Sequence, residues 1–449
     1  MSKRFLNIAP TNAGTGVFSF SGAGNPQIIF NIANTGLLQA HELRFQGNFK
    51  IVANGSNAQL ADPTVDVNVD AFTGIQSSIQ TLNIASRNYS NRSLEEILQY
   101  PRLVSSLQSA LHDKGDYDST LSHEAGSKGM GFDTVAELNA NGNTGQEYTA
   151  VGQRLASRRA YCARGGKAFS MRLVCGTLMS MPMINLNDLG GATVTITLAP
   201  TSNVLWGATA SAYHYEITNP RLVVPILLET PAEQMTSAQN PTADMQFLSF
   251  TALYNTINST AHQVVHKTSL RGVISTFQNY VPTSYVNNFG ENGVGQYNPQ
   301  IRRLTYHIDG KRVPLEYSLE PNRLAVLAES QQPTTTPQIL TNYVDAFKNF
   351  QDVKKSCINP TISSAQQQVE RNAVWGTGCS YDAVSQAGIP AVLSTLGFEI
   401  QSNLVDPTQY DIAPNAVPPP VPVSYSVYSY YLCRNSVRIT KGQGIEVVS

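Results

Sequence analysis

Residues 193–198, Thr-Val-Thr-Ile-Thr-Leu, alternate strictly between threonine and an aliphatic residue. A period of two is typical of a β-strand that has one face in the core and the other towards solvent. Val194, Ile196 and Leu198 then share the buried face, and the threonines share the opposite face. We predict a half-buried strand at this position.

Strand signals continue towards both ends of the chain. Residues 27–33 and 43–52 are rich in β-branched and aromatic residues, and the second run leads into an Asn-Gly pair at 54–55 that favours a hairpin turn. Residues 221–228 are apolar on both faces, which is typical of a buried strand. Pro225 within this run favours a sheet edge or a bulge, because proline cannot donate to a ladder.

The C-terminal part of the chain repeats these signals. Residues 302–308 precede an Asp-Gly pair at 309–310 and a second run at 311–317. Residues 423–448 have the pattern of two strands around a turn at 442–444. Many short strands separated by turns predict a mainly β protein built from sandwiches or jelly rolls.

Two passages favour helices instead. Ser93 and Glu96 have the spacing of a capping box, which predicts the start of a helix. Pro101 suits the first position of a second helix. The apolar face of that second helix would consist of Leu103, Val104, Leu107 and Leu111. A further helix is predicted over about 338–355, where apolar residues recur every three to four positions.

The composition indicates extensive protein–protein contact. The chain has 449 residues, a length typical of two domains, and only 14% are charged, against about 25% in an average soluble domain. Interface cores are depleted in charge, although a β-rich monomer with a polar surface fits the same composition. The net charge of −1 gives no overall field that would recruit nucleic acid.

The cysteines and the N-terminus favour a protein that is not secreted and folds in a reducing compartment. Five widely spaced cysteines form no Cys-x-x-Cys motif, so we expect free thiols in a reducing compartment. The N-terminus lacks the apolar core of a signal peptide, and no run reaches the ~18 apolar residues that a membrane span needs.

No catalytic or metal-binding motif is complete. Residues 164–167 (RGGK) lack the first glycine and the Ser/Thr of a phosphate loop. His262 and His266 could share one face, but no third ligand lies near them in sequence. We therefore expect no enzyme activity, no cofactor and no metal.

One basic cluster contains five cations and no acid. Its members are Arg154, Arg158, Arg159, Arg164 and Lys167. We interpret it as a basic loop that pairs with carboxylates of an adjacent subunit or stays solvated. A nucleic-acid patch is the alternative, although Tyr161 alone would supply base stacking.

Four groups of sequence stretches, taken in order, resemble a known family. They are 74–84 (GIQSSIQTLNI) with 94–97 (LEEI), 178–182 (LMSMP) with 193–200 (TVTITLAP) and 215–222 (YEITNPRL), 267–277 (KTSLRGVISTF) with 309–314 (DGKRVP), and 427–440. This order resembles the double jelly-roll major capsid proteins of polinton-like viruses, virophages and adomaviruses, within the lineage of adenovirus and the tailless lipid-containing phages.

The resemblance implies a fold and an assembly. The expected fold is mainly β, with two tandem eight-stranded antiparallel jelly rolls, short helices and long loops. The domains would be an N-terminal arm at 1–15, a first jelly roll at 16–230 and a second at 231–449. The expected function is a major capsid protein, a homotrimer whose pseudo-hexagonal capsomers tile the icosahedral shell of a DNA virus.

The resemblance also implies partners and a location. We expect contacts with neighbouring capsomers and with penton and minor capsid proteins, in a virion capsid made and assembled inside the host cell. Lys3 and Arg4 would lie on the inner face, where the arm could touch an internal membrane. The arm has no arginine-rich run that would neutralise a genome, so we expect a shell that encloses its genome without condensing it. We also expect no sequence-specific nucleic-acid partner.

Two other classes of protein remain as alternatives. Jelly-roll modules also bind carbohydrate or process glycosides, which requires two opposed carboxylates. By residue type the candidates are Glu95, Glu96, Glu216 and Asp309. A trimeric tail fibre would show fibrous repeats, and the sequence contains none.

Overall fold

The computed structural model describes most of the N-terminal half of the chain and the strands of the C-terminal half. The described residues are 2–14, 16–20, 24–56, 58–60, 67–69, 73–89, 91–104, 167–206, 209–230, 235, 239–257, 261–266, 269–278, 303–308, 311–313, 376–380, 389–390, 394–401, 425–441 and 443–447. The helix predicted over 338–355 and the turn at 309–310 lie outside them.

Thirteen described strands form what we call the first half of the protein. They are β1 Ser2–Ile8, β2 Val17–Phe18, β3 Gln27–Ile32, β4 Leu37–Leu38, β5 Arg44–Ala53, β6 Asn68–Val69, β7 Ile79–Ser86, β8 Ser93–Leu98, β9 Lys167–Arg172, β10 Ile184–Asn185, β11 Ala192–Leu198, β12 Leu205–Trp206 and β13 Tyr213–Leu228. Two helices of this half are described over their whole length, α1 Gly176–Ser180 and α2 Leu186–Leu189, and residues 100–104 are also helical. The described 3-10 turns are Ala40–Glu42, Gly74–Ser78, Thr201–Asn203 and Ala210–Ala212.

Ten described strands form the second half. They are β14 Thr242–Ile257, β15 Ala261–His266, β16 Ser269–Gln278, β17 Arg303–Ile308, β18 Lys311–Val313, β19 Gly376–Ser380, β20 Ile389–Pro390, β21 Ser394–Gln401, β22 Tyr425–Thr440 and β23 Gly444–Val447.

Both halves have the same sheet topology. In the first half, one sheet contains the order β13-β5-β9 and the opposite sheet is β3-β11-β7-β8. In the second half, the matching sheets are β14-β22-β16-β19 and β15-β21-β17-β18. All pairings between these strands are antiparallel, and the first strand of each half pairs with a late strand, β1 with β13 and β14 with β22. This is the strand order of two jelly rolls, as the sequence predicts.

The strand at 193–198 is confirmed as the half-buried β11. Its residues alternate between buried and half-buried, with Val194, Ile196 and Leu198 in the core. β3 pairs with one edge of β11 and β7 with the other. The strands predicted at 27–33 and 43–52 are β3 and β5.

The bulge in β13 lies upstream of the predicted position. The pairing of β13 with β5 shifts register between Thr218 and Arg221, and Asn219 within this bulge has a φ of 51°. Pro225 pairs with Phe5 of β1 on one side. On the other side its carbonyl accepts a hydrogen bond from the Gln39 amide, at 3.0 Å. Pro225 lies where the pairing with β5 has ended and that with β4 begins, so its missing N–H interrupts no ladder.

The capping-box prediction at Ser93 and Glu96 is wrong, because these residues belong to strand β8. The Ser93 hydroxyl accepts a hydrogen bond from the Asn83 side chain of β7, and Glu96 is exposed. Pairing with β7 along the whole strand outweighs a local helix signal of about 1 kcal/mol. The chain is helical at 100–104, directly after β8, as the position of Pro101 predicts.

The domain boundary predicted at 230/231 falls between β13 and β14. Residues 2–8 of the predicted arm form β1, which pairs with the last seven residues of β13. A continuous core runs from the first half into β14 and β22. The second-half residues in this core are Met245, Phe247, Phe250, Tyr430, Leu432, Val437 and Ile439.

Candidate functional site: the junction between the two halves

The two halves meet where β8, α1 and the helical residues 100–104 pack against β14 and β22. We call this contact the junction. At its centre lies the Glu95 side chain of β8, which is only 4% exposed. The pairing of β8 with β7 shifts register at Leu94, so that Glu95 lies opposite Ile84 on the core face. A carboxylate on the core face needs partners to offset its desolvation.

Three backbone N–H groups supply those partners. The amides of Gly176 and Thr177, in the first turn of α1, donate to the two carboxylate oxygens at 2.9 and 2.7 Å. The amide of Phe250 in β14 donates to Oε1 at 2.7 Å. One side chain of the first half therefore bonds to a loop helix of its own half and to a strand of the second half.

Burial determines the acid–base properties of this site. Desolvation raises the pKa of the Glu95 carboxyl above its ordinary range, and the three amide donors oppose the rise. The pKa of the adjacent Cys175 thiol lies well above its usual value, first because of burial and then because of the nearby Glu95. The Cys175 sulfur accepts a hydrogen bond from the Leu178 amide at 3.4 Å and so caps α1. The Glu95 and Cys175 side chains are both almost fully buried.

Gly176 lets α1 approach β14 closely. A Cβ at this position would lie 2.7 Å from the Leu248 carbonyl oxygen and 2.8 Å from the Ser249 Cα. Both are backbone atoms, which cannot rotate away. The approach also allows the Ser180 hydroxyl to accept a hydrogen bond from the Leu248 amide, at 2.9 Å. Only glycine fits this contact without moving the two halves apart.

Aromatic side chains of β22 complete the junction. The Tyr430 hydroxyl is buried and donates to the Gln99 carbonyl oxygen at 2.9 Å. The buried Arg102 guanidinium lies over the Tyr428 ring, 4.6 Å from its centroid. Burial lowers the pKa of Arg102, and the neighbouring Tyr428 and Tyr430 oppose this effect. A cation over an aromatic face stabilises a contact by about 0.5–2 kcal/mol.

An ion pair links the two halves at the edge of the junction. The Lys441 ammonium, next to β22, lies 2.8 Å from Asp188 Oδ1 of α2. Both side chains are partly buried, so solvent screens the pair less than a surface pair. The junction thus combines a shared apolar core, a buried carboxylate with three donors and a peripheral ion pair.

Lys3 and Arg4, the residues of the predicted inner arm, lie in strand β1. The Lys3 ammonium forms an ion pair with Glu42 at 2.5 Å and lies 5.1 Å from the centroid of the Phe5 ring. Arg4 is exposed on β1. Of the predicted basic cluster, Arg154, Arg158, Arg159 and Arg164 lie outside the described residues, and for Lys167 only the backbone, in β9, is described. The role of the basic cluster stays a prediction.

The described carboxylates considered for glycoside chemistry do not form a pair of opposed, accessible groups. Glu95 is buried with its oxygens occupied, and Glu96 is exposed on the other face of β8. Glu216 lies 3.6 Å from the His214 imidazole in β13. Asp309 lies outside the described residues. Within the described part of the chain, no group of three His, Cys, Asp or Glu residues is placed to hold a metal ion.

Sequence reasoning did not identify the junction. From the sequence, Glu95 is only one of several carboxylates. One signal sets it apart, since it lies between the apolar residues Leu94 and Ile97. Its three donors are 81, 82 and 155 residues away in sequence, so no local pattern could reveal them.

The whole chain is similar to solved capsid structures. A quasi-atomic model of the PBCV-1 virus capsid has a TM-score of 0.54 at 12% identity, covering 100% of this chain and 97% of that chain. The Sputnik virophage structure has a TM-score of 0.53 at 11% identity, with coverages of 100% and 88%. The Faustovirus major capsid protein has a TM-score of 0.53 at 10% identity, with coverages of 97% and 90%.

No protein-family model and no curated protein sequence matches the chain. Among the described residues, no helix has the length and apolar character needed to cross a membrane. The two halves have matching sheet topologies, and the chain is similar over its full length to solved capsid structures. Both observations indicate the same fold. The chain therefore has the double jelly-roll fold of viral major capsid proteins.

Proposed function

We propose that this chain is the major capsid protein of an icosahedral DNA virus, with a structural and not a catalytic role. The observation that carries the proposal is the repeated jelly-roll topology joined by one continuous core. Two similar barrels per chain, repeated in a trimer, approximate sixfold symmetry. Such a capsomer can tile a flat facet with one kind of protein.

The junction supports this assignment through its rigidity. A capsomer keeps its shape only if the two barrels of each chain keep a fixed orientation. The buried Glu95 bonds and the close contact at Gly176 hold β8 and α1 against β14. A pair of independent binding modules would instead be joined by a polar interface that allows relative motion.

The first partner that we propose is a second copy of the same chain. The homotrimer would contact neighbouring capsomers, with penton and minor capsid proteins at vertices and seams. The basic cluster at 154–167 would pair with carboxylates of an adjacent subunit. The arm at 1–15, with Lys3 and Arg4, would lie on the inner side of the shell, near an internal membrane where one is present.

Electron microscopy of the purified full-length chain tests the assembly. We expect pseudo-hexagonal particles with three chains each, and shells or sheets of such particles at high concentration. Monomers or rods would contradict the proposal. Flotation of assembled shells with and without lipid vesicles tests the role of the arm, with a Lys3→Gln/Arg4→Gln double variant as the comparison.

The glycoside alternative is separated by a binding experiment. No observation on Glu95, Glu96 or Glu216 favours it, since the Glu95 oxygens are already bonded to backbone amides. A glycan array probed with the full chain would support this alternative only if specific binding appeared together with a monomeric particle.

A further inference from the structure

A polar cavity of about 500 Å³ lies at one end of the protein, between the first half and the C-terminal strand β23. Its polar lining consists of Asn34, Asn88, Arg92, Asn187 and Gln443, with Tyr89 beside them. The last three residues of its wall, Gln443, Gly444 and Ile445, come from the second half. The cavity has the volume of a ligand site for a small molecule or a short peptide segment.

Strand register places the cavity at a defined end of the first jelly roll. Ala192 at the start of β11 pairs with Ile32 of β3 and with Ser86 of β7, so the segments after β3, after β7 and before β11 meet there. Ser2 pairs with Leu228, and the next residue, Glu229, accepts a hydrogen bond from Asn187. The N-terminus of the chain therefore lies near this end, whereas the chain leaves β8 at its opposite end, at Leu98.

A left-handed glycine shapes the cavity wall. Gly190, with a φ of 72°, ends α2, and a Cβ there would lie 3.0 Å both from the Asn88 Cβ and from the Tyr89 ring. The turn that carries Asn88 and Tyr89 can close over α2 only because this position has no side chain. The wall is thus a built feature of the fold.

The lining is rich in hydrogen-bond donors and carries one positive charge. None of the described residues that line the cavity is a carboxylate. Of the acids near the lining, Glu229 accepts a hydrogen bond from the lining residue Asn187 at 2.6 Å, and Asp188 forms an ion pair with Lys441 at 2.8 Å. Within the described part of the chain, the Arg92 guanidinium makes neither a hydrogen bond nor an ion pair. Its planar donors match one carboxylate.

The second half contributes an open strand edge to the same cavity. β23 pairs with β22 through Gly444 to Val447, and no other described strand pairs with β23. In an antiparallel strand, alternate residues direct their N–H and C=O groups away from the partner. Either Gly444 or Ile445 therefore presents backbone groups on the free edge, which is a template for adding an extended segment.

We propose that this cavity binds an acidic peptide segment in extended conformation. The segment would add to the free edge of β23, its backbone would bond to the amides of Asn34, Asn88 and Gln443, and its carboxylate would pair with Arg92. One guanidinium is too little charge for a polyanion such as nucleic acid, which requires several phosphate contacts. A sugar acid matches Arg92 but has no backbone for the strand edge.

This inference rests on the proposed function in one respect only. The capsid assignment decides which side of the shell the cavity faces. If the arm at 1–15 lies inside, the cavity lies inside too, because Ser2 and Glu229 are at the same end. The acidic segment would then belong to an internal component of the particle.

Fluorescence anisotropy with the full-length assembled protein tests the binding. The probes are short, end-blocked, fluorescein-labelled peptides of serine, threonine and valine, each with one aspartate at a different position. A second set carries asparagine in place of aspartate. We expect the best aspartate peptide to bind more tightly than its asparagine counterpart. Arg92→Gln should weaken it roughly 10- to 100-fold, the effect of a charge-assisted hydrogen bond.

Arg87→Gln is the matched control, because Arg87 is also an exposed arginine of the turn between β7 and β8 but does not line the cavity. Equal affinities of the two peptide sets, or equal effects of the two variants, would overturn the proposal. Displacement of the peptide by glucuronate or inorganic phosphate at concentrations near the peptide Kd would also overturn it. Hexagonal particles that form normally but bind no peptide would refute this inference and leave the capsid function intact.

Discussion

Replacing Glu95 by alanine should uncouple the two halves of the protein. The change removes the acceptor of three buried amides, those of Gly176, Thr177 and Phe250. Each buried donor left without a partner costs about 1–3 kcal/mol. Relief of the buried charge and entry of water offset part of this sum. We expect a net destabilisation of about 3–5 kcal/mol, the range found when one partner of a buried charged network is removed.

Hydrogen exchange followed by mass spectrometry measures this effect locally. Because about 1.4 kcal/mol corresponds to a factor of ten, peptides that contain Phe250 or Thr177 should exchange roughly 100 to 4,000 times faster in Glu95→Ala than in the native protein. Peptides from β11, in the core of the first half, should change much less. Calorimetry should show the unfolding transition split or shifted to lower temperature.

Glu96→Ala is the matched control for this experiment. The two glutamates are neighbours on β8, but Glu96 is exposed and Glu95 is 4% exposed. If both variants lost stability equally, or if the Phe250 amide kept its protection in Glu95→Ala, the buried carboxylate would not be what couples β8 to β14.

Three further predictions concern the same region. Gly176→Ala should lower stability by about 1–3 kcal/mol because its Cβ meets the β14 backbone, whereas Gly14→Ala, with open space around it, should leave the calorimetric Tm unchanged. Cys175 and Cys433 are buried, and the pKa of Cys175 is raised; mass spectrometry should find both unmodified by iodoacetamide in the native protein and alkylated in urea, and rapid native labelling would contradict their placement. Since burial raises the folded-state pKa of Glu95 above its unfolded value, its contribution to stability is greatest below the unfolded pKa and is lost as pH rises through the folded pKa. The Tm of Glu95→Gln should therefore fall less than that of the native protein as pH rises above the ordinary glutamate pKa of about 4.3, and parallel curves would refute the assignment.

The strand content follows from local sequence, whereas the junction does not. The alternation at 193–198 predicts both the strand and its buried face, because a half-buried strand imposes a period of two. Glu95 behaves differently. Its burial depends on an amide 155 residues away, so only the assembled fold reveals why a carboxylate occupies this place.

The wrong helix prediction at Ser93 also results from long-range contacts that the local sequence does not show. Ser93, Leu94, Glu96 and Ile97 satisfy a helical pattern, and a bulged strand places Leu94 and Ile97 in the core just as well. Long-range pairing with β7 decides between the two. The same limit applies to the cavity, whose lining residues come from four separate stretches of sequence.

The pairing of Ser2 with Leu228 has a consequence for how such a chain can arise. Antiparallel neighbours lie about 5 Å apart, so the first half begins and ends at nearly the same point. The second half does the same, since Thr242 pairs with Thr440. A module whose ends coincide can be duplicated in tandem and fused by a short connector without threading one copy through the other. Gene duplication of a single barrel would therefore produce a foldable double barrel at once, and later substitutions such as a buried acid facing the new neighbour would lock the copies together.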